Sequence, residues 1–210
     1  MPEKKQKLLR ITSPKGIARY PWLQKPDTRF NTDGVYKVNL LIPAADCTDL
    51  CAKLDVLANE SFMDAKAKAK TPVAANLIKK AIPYAMFRNE NGEETGLVEF
   101  KFKMNARVKM ADGEVKAMSP DFYDRKAKPV QVCPAMYGGS ALKVNFSPMP
   151  YFSASNKQAG ISLRINAVQI IDLVTGPDDQ GFDEEEGSFE VGTSGEAGSD
   201  TSGGHGSSDF

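Results

Sequence analysis

The stretch 100–110 alternates without a fault over eleven residues: Phe100, Phe102, Met104, Ala106, Val108 and Met110 on one side, Lys101, Lys103, Asn105, Arg107 and Lys109 on the other. A period of two marks a strand with one wet face, and no helix accommodates it. The pattern recurs at 34–42, where Tyr36, Val38, Leu40 and Ile42 oppose Lys37 and Asn39. It recurs at 141–152, with Leu142, Val144 and Phe146 against Lys143, Asn145 and Ser147. At 160–173, Ile161, Leu163 and Ile165 oppose Ser162, Arg164 and Asn166, and the phase slips near Ala167-Val168, which predicts a bulge or an end to simple pairing. A further strand is expected around 16–23, interrupted by Pro21.

Between these segments, Asp112-Gly113 supplies a tight turn after residue 110. A return strand is expected at 115–123, although Pro120 demotes it to an edge or ends it early. One helix is expected at 46–70, capped by Asp46 or Thr48, with Leu50, Leu54, Leu57 and Phe62 roughly on one face. Cys47 and Cys51 share that helix at i and i+4. No further Cys or His pair completes a zinc site with them, so they read as small buried hydrophobes. The expected architecture is mainly β: an OB-fold barrel of about five strands with an inserted helix, followed by a disordered acidic C-terminal tail.

That tail is where composition matters. The chain has 210 residues, 27 Lys+Arg and 27 Asp+Glu, but from Pro177 onward there are ten acids and no Lys or Arg. Residues 1–176 therefore hold 27 bases and 17 acids, a balance of +10 against −10 in 177–210. The tail is rich in Gly and Ser and too poor in apolar residues to offset the entropy of ordering, so two domains are expected: a folded body at 1–176 and a disordered acidic tail at 177–210. No run approaches the ~18 apolar residues of a membrane helix, and the N-terminal residues lack the apolar stretch of a signal peptide. A soluble cytosolic protein is the expectation. Cys47, Cys51 and Cys133 are too few for a disulfide framework. The single histidine, His205, lies in the tail, which excludes a His-based triad or a multi-His metal site in the body and weakens an enzymatic reading.

The wet sides of the four clearest strands contain Lys, Arg, Asn and Ser and no acid, although the body has 17 acids to distribute. Aromatic residues lie near strand ends and turns: Tyr20 and Trp22 flank Pro21, Phe122 and Tyr123 precede Arg125, and Tyr151 and Phe152 follow the strand of Lys143. Cations with aromatic platforms suit a single-stranded nucleic acid, since phosphates are neutralised by Lys and Arg and any base can stack on a ring. The candidates are Lys37, Lys101, Lys103, Arg107, Lys109, Arg125, Lys143 and Arg164 for phosphates, and Trp22, Tyr123 and Tyr151 for bases. No catalytic, metal or cofactor set is required. The tethered polyanion would then compete with nucleic acid for the cationic groove. A reading from another class is a protein-interaction or DNA-mimic module whose body binds only its own tail.

The motifs also resemble a known family. Lys25-Pro26-Asp27, Gly34-Val35-Tyr36-Lys37-Val38 with Ile42-Pro43, Phe100-Lys101-Phe102-Lys103, Gly138-Gly139-Ser140 before Leu142-Lys143-Val144, and Pro150-Tyr151 occur in order along the chain. Together with the acidic tail and its Asp209-Phe210 they are similar to the phage T7-type single-stranded DNA-binding proteins of podoviruses. The resemblance implies an OB-fold core, sequence-nonspecific binding of single-stranded DNA, and a homodimer. It further implies roles in replication, recombination and strand annealing, in the cytoplasm of the infected bacterial host. It also implies contacts of the tail with the phage DNA polymerase and helicase-primase, through Asp183, Glu184, Glu185, Glu186, Asp209 and Phe210. Tyr151 corresponds to a family aromatic near the DNA cleft.

Overall fold

The computed structural model describes residues 8–110 and 112–175. The tail residues Asp183, Glu184, Glu185, Glu186, Asp209 and Phe210 lie outside them. Among the described residues, twelve strands and two helices follow one another as β1 (Ile11–Thr12), β2 (Gly16–Asp27), β3 (Val35–Pro43), α1 (Ala44–Ala67), α2 (Pro72–Asn76), β4 (Lys79–Ala81), β5 (Tyr84–Arg88), β6 (Glu94–Asn105), β7 (Arg107–Lys109), β8 (Val115–Ala117), β9 (Asp121–Tyr123), β10 (Pro129–Val130), β11 (Ala141–Ser153) and β12 (Gln158–Asp172). The protein is mainly β with an inserted helix, as the alternating segments require.

Five long strands carry the fold. β2 pairs antiparallel with β3 and β3 with β6; β6 runs parallel to β12; β12 pairs antiparallel with β11 along its whole length; and β11 pairs with the start of β2. The pairings return to their starting strand. Alternation puts Val38, Leu40, Ile42, Phe100, Phe102, Leu142, Val144, Phe146, Leu163 and Ile165 inside, all fully or almost fully buried. Phe100, Phe102 and Phe146 form a chain of rings with centroids 6.4 and 5.1 Å apart, and Tyr84 extends it at 5.4 Å. The helix α1 covers this interior with Cys47, Leu50, Leu54 and Ala58, whose spacing of three to four residues keeps them on one face. Burial pushes the Cys47 thiol up to about 11, so at neutral pH it is a protonated apolar filler.

Several expectations are corrected in detail. The strand at 100–110 begins earlier, at Glu94, and ends at Asn105. Ala106 is buried; its N–H donates to the Gly34 carbonyl (2.9 Å) and its carbonyl accepts from Met118 N–H (2.8 Å). These bonds bend the chain, so Arg107–Lys109 leaves the main sheet and pairs with Val115–Ala117 as a separate ribbon. Met110 is consequently exposed rather than in the core. Gly34 has φ +77°, and a Cβ there would press on Pro26, so the site requires glycine twice over.

The helix starts at Ala44 rather than 46, because Pro43 closes β3 and serves as N-cap with no side-chain bond. Asp46 therefore lies within the first turn, where a carboxylate favours the helix N-terminus, and Thr48 Oγ1 donates back to the Ala44 carbonyl. The helix ends at Ala67, short of 70; Thr71 caps a second short helix by accepting from Ala74 N–H, with Pro72 in its first turn. The slip expected near 167–168 is a bulge one residue earlier. Asn145 faces Ala167 and Phe146 faces Ile165, which leaves Asn166 unpaired. The strand expected at 16–23 runs on to Asp27, and Pro21 makes a bulge rather than an interruption: two residues, Tyr20 (φ 49°) and Pro21, stand opposite one on β3. Pro120 does separate β8 from β9.

Candidate nucleic-acid interface

The register of the long strands places cations side by side. Across the outer face, Trp22 on β2 faces Lys37 on β3, Lys37 faces Lys103 on β6, Lys103 faces Arg164 on β12, and Arg164 faces Ser147 on β11. A second row runs Arg19, Asn39, Lys101. Like charges directly opposite on adjacent strands destabilise a sheet, so Lys103 directly opposite Arg164 is an arrangement that folding alone disfavours.

The face is concave along its length. One hollow of about 390 Å³ is walled by Lys37, Lys101, Lys103, Ile82 and Tyr151. The next, about 380 Å³, shares Lys103 and Ser162 with it and adds Val108, Met149 and Arg164. A third, about 560 Å³, shares Arg164 and Met104 with the second and adds Arg10, Lys143, Asn145, Asn166 and Tyr123. Shared walls make these one trough, with Tyr151 at one end and Tyr123 at the other. Tyr123 also borders a further hollow of about 610 Å³ walled by Tyr36 and Pro129. Asn166, freed from pairing by the bulge, is fixed in the trough wall by donating to Asn145 Oδ1 (3.2 Å) and Ser147 Oγ (3.0 Å).

Lys101, Lys103, Lys143, Arg164, Tyr123 and Tyr151 thus come together. Lys101 and Lys103 are exposed; Lys143, Arg164 and Tyr123 are half-buried. Trp22 and Lys37 belong to a neighbouring constellation that sequence reasoning missed. Asp27 is almost completely buried, and its carboxylate accepts from Lys37 Nζ (2.6 Å), from Arg29 Nε (3.1 Å) and Nη2 (3.2 Å), and from Arg29 N–H. The Arg29 bonds, then the Lys37 bond, hold Asp27 well below the usual carboxylate range, and Asp27 raises Arg29 in return. The Arg29 guanidinium lies 4.8 Å above the Trp22 ring, so that ring is already stacked on one side. Lys37 walls the trough with its ammonium committed to Asp27.

Arg107, Lys109 and Arg125 lie elsewhere. The bend at Ala106 puts Arg107 and Lys109 on the β7–β8 ribbon, which presents Val108, not these two, to the trough. Arg125 is exposed on the 124–128 turn, where Asp124 accepts from the N–H groups of Lys126 and Lys128. The face is also not free of acids. Glu99 closes the second row by accepting from Arg19 (3.3 Å) and Asn39 (3.1 Å), and Asp121 borders the trough beside Tyr123. Among the described residues no acid walls the first two hollows, where Lys101, Lys103 and Arg164 stand. Arg10, Arg19 and Arg29 went unnoticed in the sequence because they lie outside the clean alternating runs, on a strand end, beside a bulge and in a turn.

An open cationic trough on a strand face, with an aromatic ring at either end, is a class of surface that fits an extended polyanion with stacking bases. The comparisons narrow the class. The family model "Single-stranded DNA-binding protein, Bacteriophage T7" matches residues 15–173. The single-stranded DNA-binding protein of Escherichia phage T7 is 31% identical over 196 residues, 85% of this chain and 84% of its own length. That of Enterobacteria phage T3 is 31% identical over 192 residues, covering 83% and 82%. The crystal structure of gp2.5, the single-stranded DNA-binding protein of bacteriophage T7, superposes with a TM-score of 0.68 at 27% identity, covering 89% of this chain and all of that one. The protein from bacteriophage Enc34 in complex with single-stranded DNA gives 0.55 at 14% identity over 79% of this chain and 88% of its own, a likeness of fold alone. The chain belongs to the bacteriophage T7 single-stranded DNA-binding protein family.

Proposed function

We propose that the chain is a non-enzymatic, sequence-nonspecific single-stranded DNA-binding protein that supports phage DNA replication, recombination and strand annealing in the cytoplasm of the infected host. The observation that carries this reading is the row Lys103, Arg164, with Lys101 beside it, within a continuous trough. Phosphates relieve the repulsion along that row, and Tyr151 and Tyr123 offer rings to bases without regard to their identity. Family membership supports it independently. We read the five-strand circuit as an OB-fold barrel, in which one strand face meets single strands, and residues 1–176 as the binding domain. Residues 177–210 act as a regulatory tail that competes with DNA and recruits the phage polymerase and helicase-primase, in a protein that works as a homodimer.

The test is retardation of oligo-dT by the full chain over a salt series, beside a variant with Asp183, Glu184, Glu185 and Glu186 changed to Asn and Gln. Binding should be sequence-independent and salt-sensitive, and tail neutralisation should tighten it at low salt by a margin that closes as salt rises. Equal affinities at low salt would remove the competition while leaving the DNA-binding reading intact. No retardation at any salt would make the chain a protein-interaction module.

A further inference from the structure

Beyond the Tyr151 end of the trough lies another hollow, of about 500 Å³, where the end of α1, α2 and the β11–β12 hairpin meet. Leu77, Ile78 and Phe152 line it, Lys68, Lys70 and Lys157 rim it, and among the described residues no acid walls it. Leu77 and Phe152 are each about half exposed, 48% and 52%, an apolar surface that the fold itself leaves uncovered. We propose that a single strand of DNA leaving the trough past Tyr151 turns over the β4 edge and seats a base on Phe152, so that this hollow is a further subsite for the same strand. The inference deepens the DNA-binding reading and rests on it.

Continuity with the trough selects that ligand, because two chain segments run from one to the other. On β11, Tyr151 walls the trough and Phe152, the next residue, walls the hollow, the two pointing to opposite faces of the strand. Ile82 walls the trough, and Ile78, about 13 Å back along an extended chain, walls the hollow. Between them stands β4, which pairs with β12 and, among the described residues, with no other strand, so it forms an edge. Lys79 N–H donates to the Lys157 carbonyl (2.8 Å), which fixes that edge to the hairpin. Lys79 and Lys80 are both exposed and, being consecutive on a strand, set one cation on each side of the edge. Among the described residues Lys70, Lys79, Lys80 and Lys157 form no ion pair, and Lys68 meets Asp64 only at 4.0 Å. Cations carried round an edge can follow a phosphate backbone, and an exposed ring in an apolar hollow can take the face of a base. An acidic peptide would suit the rim of the hollow as well, but it gives no reason for cations to continue along β4 to the trough.

The experiment measures the salt slope of oligo-dT binding over a series of lengths, for the full chain and for the combined variant Lys79→Gln, Lys80→Gln, Lys157→Asn. All three side chains are exposed, and asparagine tolerates the φ of 50° at Lys157, so the melting temperature should hold. On the shortest oligonucleotides that bind, the two slopes should coincide. On long ones the variant's slope should be flatter by about 2, three phosphates at about 0.7 each. Irradiation of the unmodified chain with iodouracil-substituted oligo-dT should cross-link Phe152 on long oligonucleotides and not on the shortest. Equal slopes at every length, or no cross-link to Phe152, would overturn the proposal and leave Lys79 and Lys80 as guards of an edge strand. A flattening that is the same at every length would overturn it too, by placing these lysines in the trough. Failure of the DNA-binding reading looks different: the unmodified chain would then bind no oligonucleotide of any length, and both readings would fall together.

Discussion

Lys103→Ala separates binding from stability, because the two should move in opposite directions. Lys103 is exposed at the centre of the trough, shared by two of its hollows, and faces Lys37 on one side and Arg164 on the other. Among the described residues, Lys37 has Asp27 as an anionic partner, whereas no such ion pair forms at Lys103 or Arg164. One phosphate contact on a single strand contributes a slope of about 0.7 to log affinity against log salt. Between 1 M and 50 mM salt, a twentyfold dilution, that contact is worth a factor of about 8. Anisotropy titration of labelled oligo-dT should therefore show Lys103→Ala flattening the salt slope by about 0.7, with a loss of about eightfold at 50 mM relative to 1 M. Removing the charge also relieves Arg164, and less so Lys37, whose ammonium Asp27 already offsets, by a few tenths of a kcal/mol in all. For a domain of this size that raises the melting temperature by roughly 1–2 °C. Lys53→Ala, on the exposed side of α1, serves as the control and should leave the slope alone. An unchanged slope in Lys103→Ala, or a lower melting temperature, would refute the reasoning.

Further outcomes follow from other parts of the structure. Tyr123→Ala and Tyr151→Ala should each weaken oligo-dT binding by about 1–3 kcal/mol with the salt slope unchanged, whereas the Phe variants retain it; loss in both Phe variants would show that stacking is not the role. Asp27→Asn should destabilise the fold. Because the folded Asp27 is held below its unfolded value of about 3.9, its contribution is present above that pH and disappears as pH falls toward the folded value. Melting temperature followed from pH 5 to pH 2 should drop more steeply in the wild type than in Asp27→Asn, and parallel curves would contradict the assignment. Gly160→Ala places a methyl group against the Ala81 carbonyl on β4, where backbone cannot yield cheaply. It should cost about 1–3 kcal/mol in urea denaturation, and a neutral result would mean that β4 is free to move away.

The long strands were legible because each buries one face and wets the other, which imposes a period of two that nothing else mimics. Tyr36–Ile42, Phe100–Asn105, Leu142–Phe146 and Ile161–Ile165 all fall in place with the expected residues inside. What escaped is what pairing decides rather than periodicity. The bend at Ala106 is made by Gly34 and Met118, both distant in sequence, so the alternating text runs on past the end of the strand. β4 and β5, of three and five residues, are too short to show a period, and they exist because β12 and β6 offer them edges. The trough itself was half visible. Its cations follow from strand phase, but that Lys37 is tied to Asp27 and Trp22 to Arg29 depends on a turn at 28–33 that has no pattern to read.

The circuit of pairings has a consequence for how the molecule is made. β12, the last strand described, is the one that joins β6 to β11, and β11 is the one that seals β2. On the ribosome, a nascent chain that has finished β6 thus carries an open border on β2 and another on β6 past the stretch that β5 covers, until some sixty further residues emerge. Such long-range closure is intrinsically slow, and it leaves half-finished copies open to pairing with one another. Swapped or stuck assemblies are the hazard this topology carries, and Lys101 and Lys103 set like charges near the part of β6 that β12 covers last.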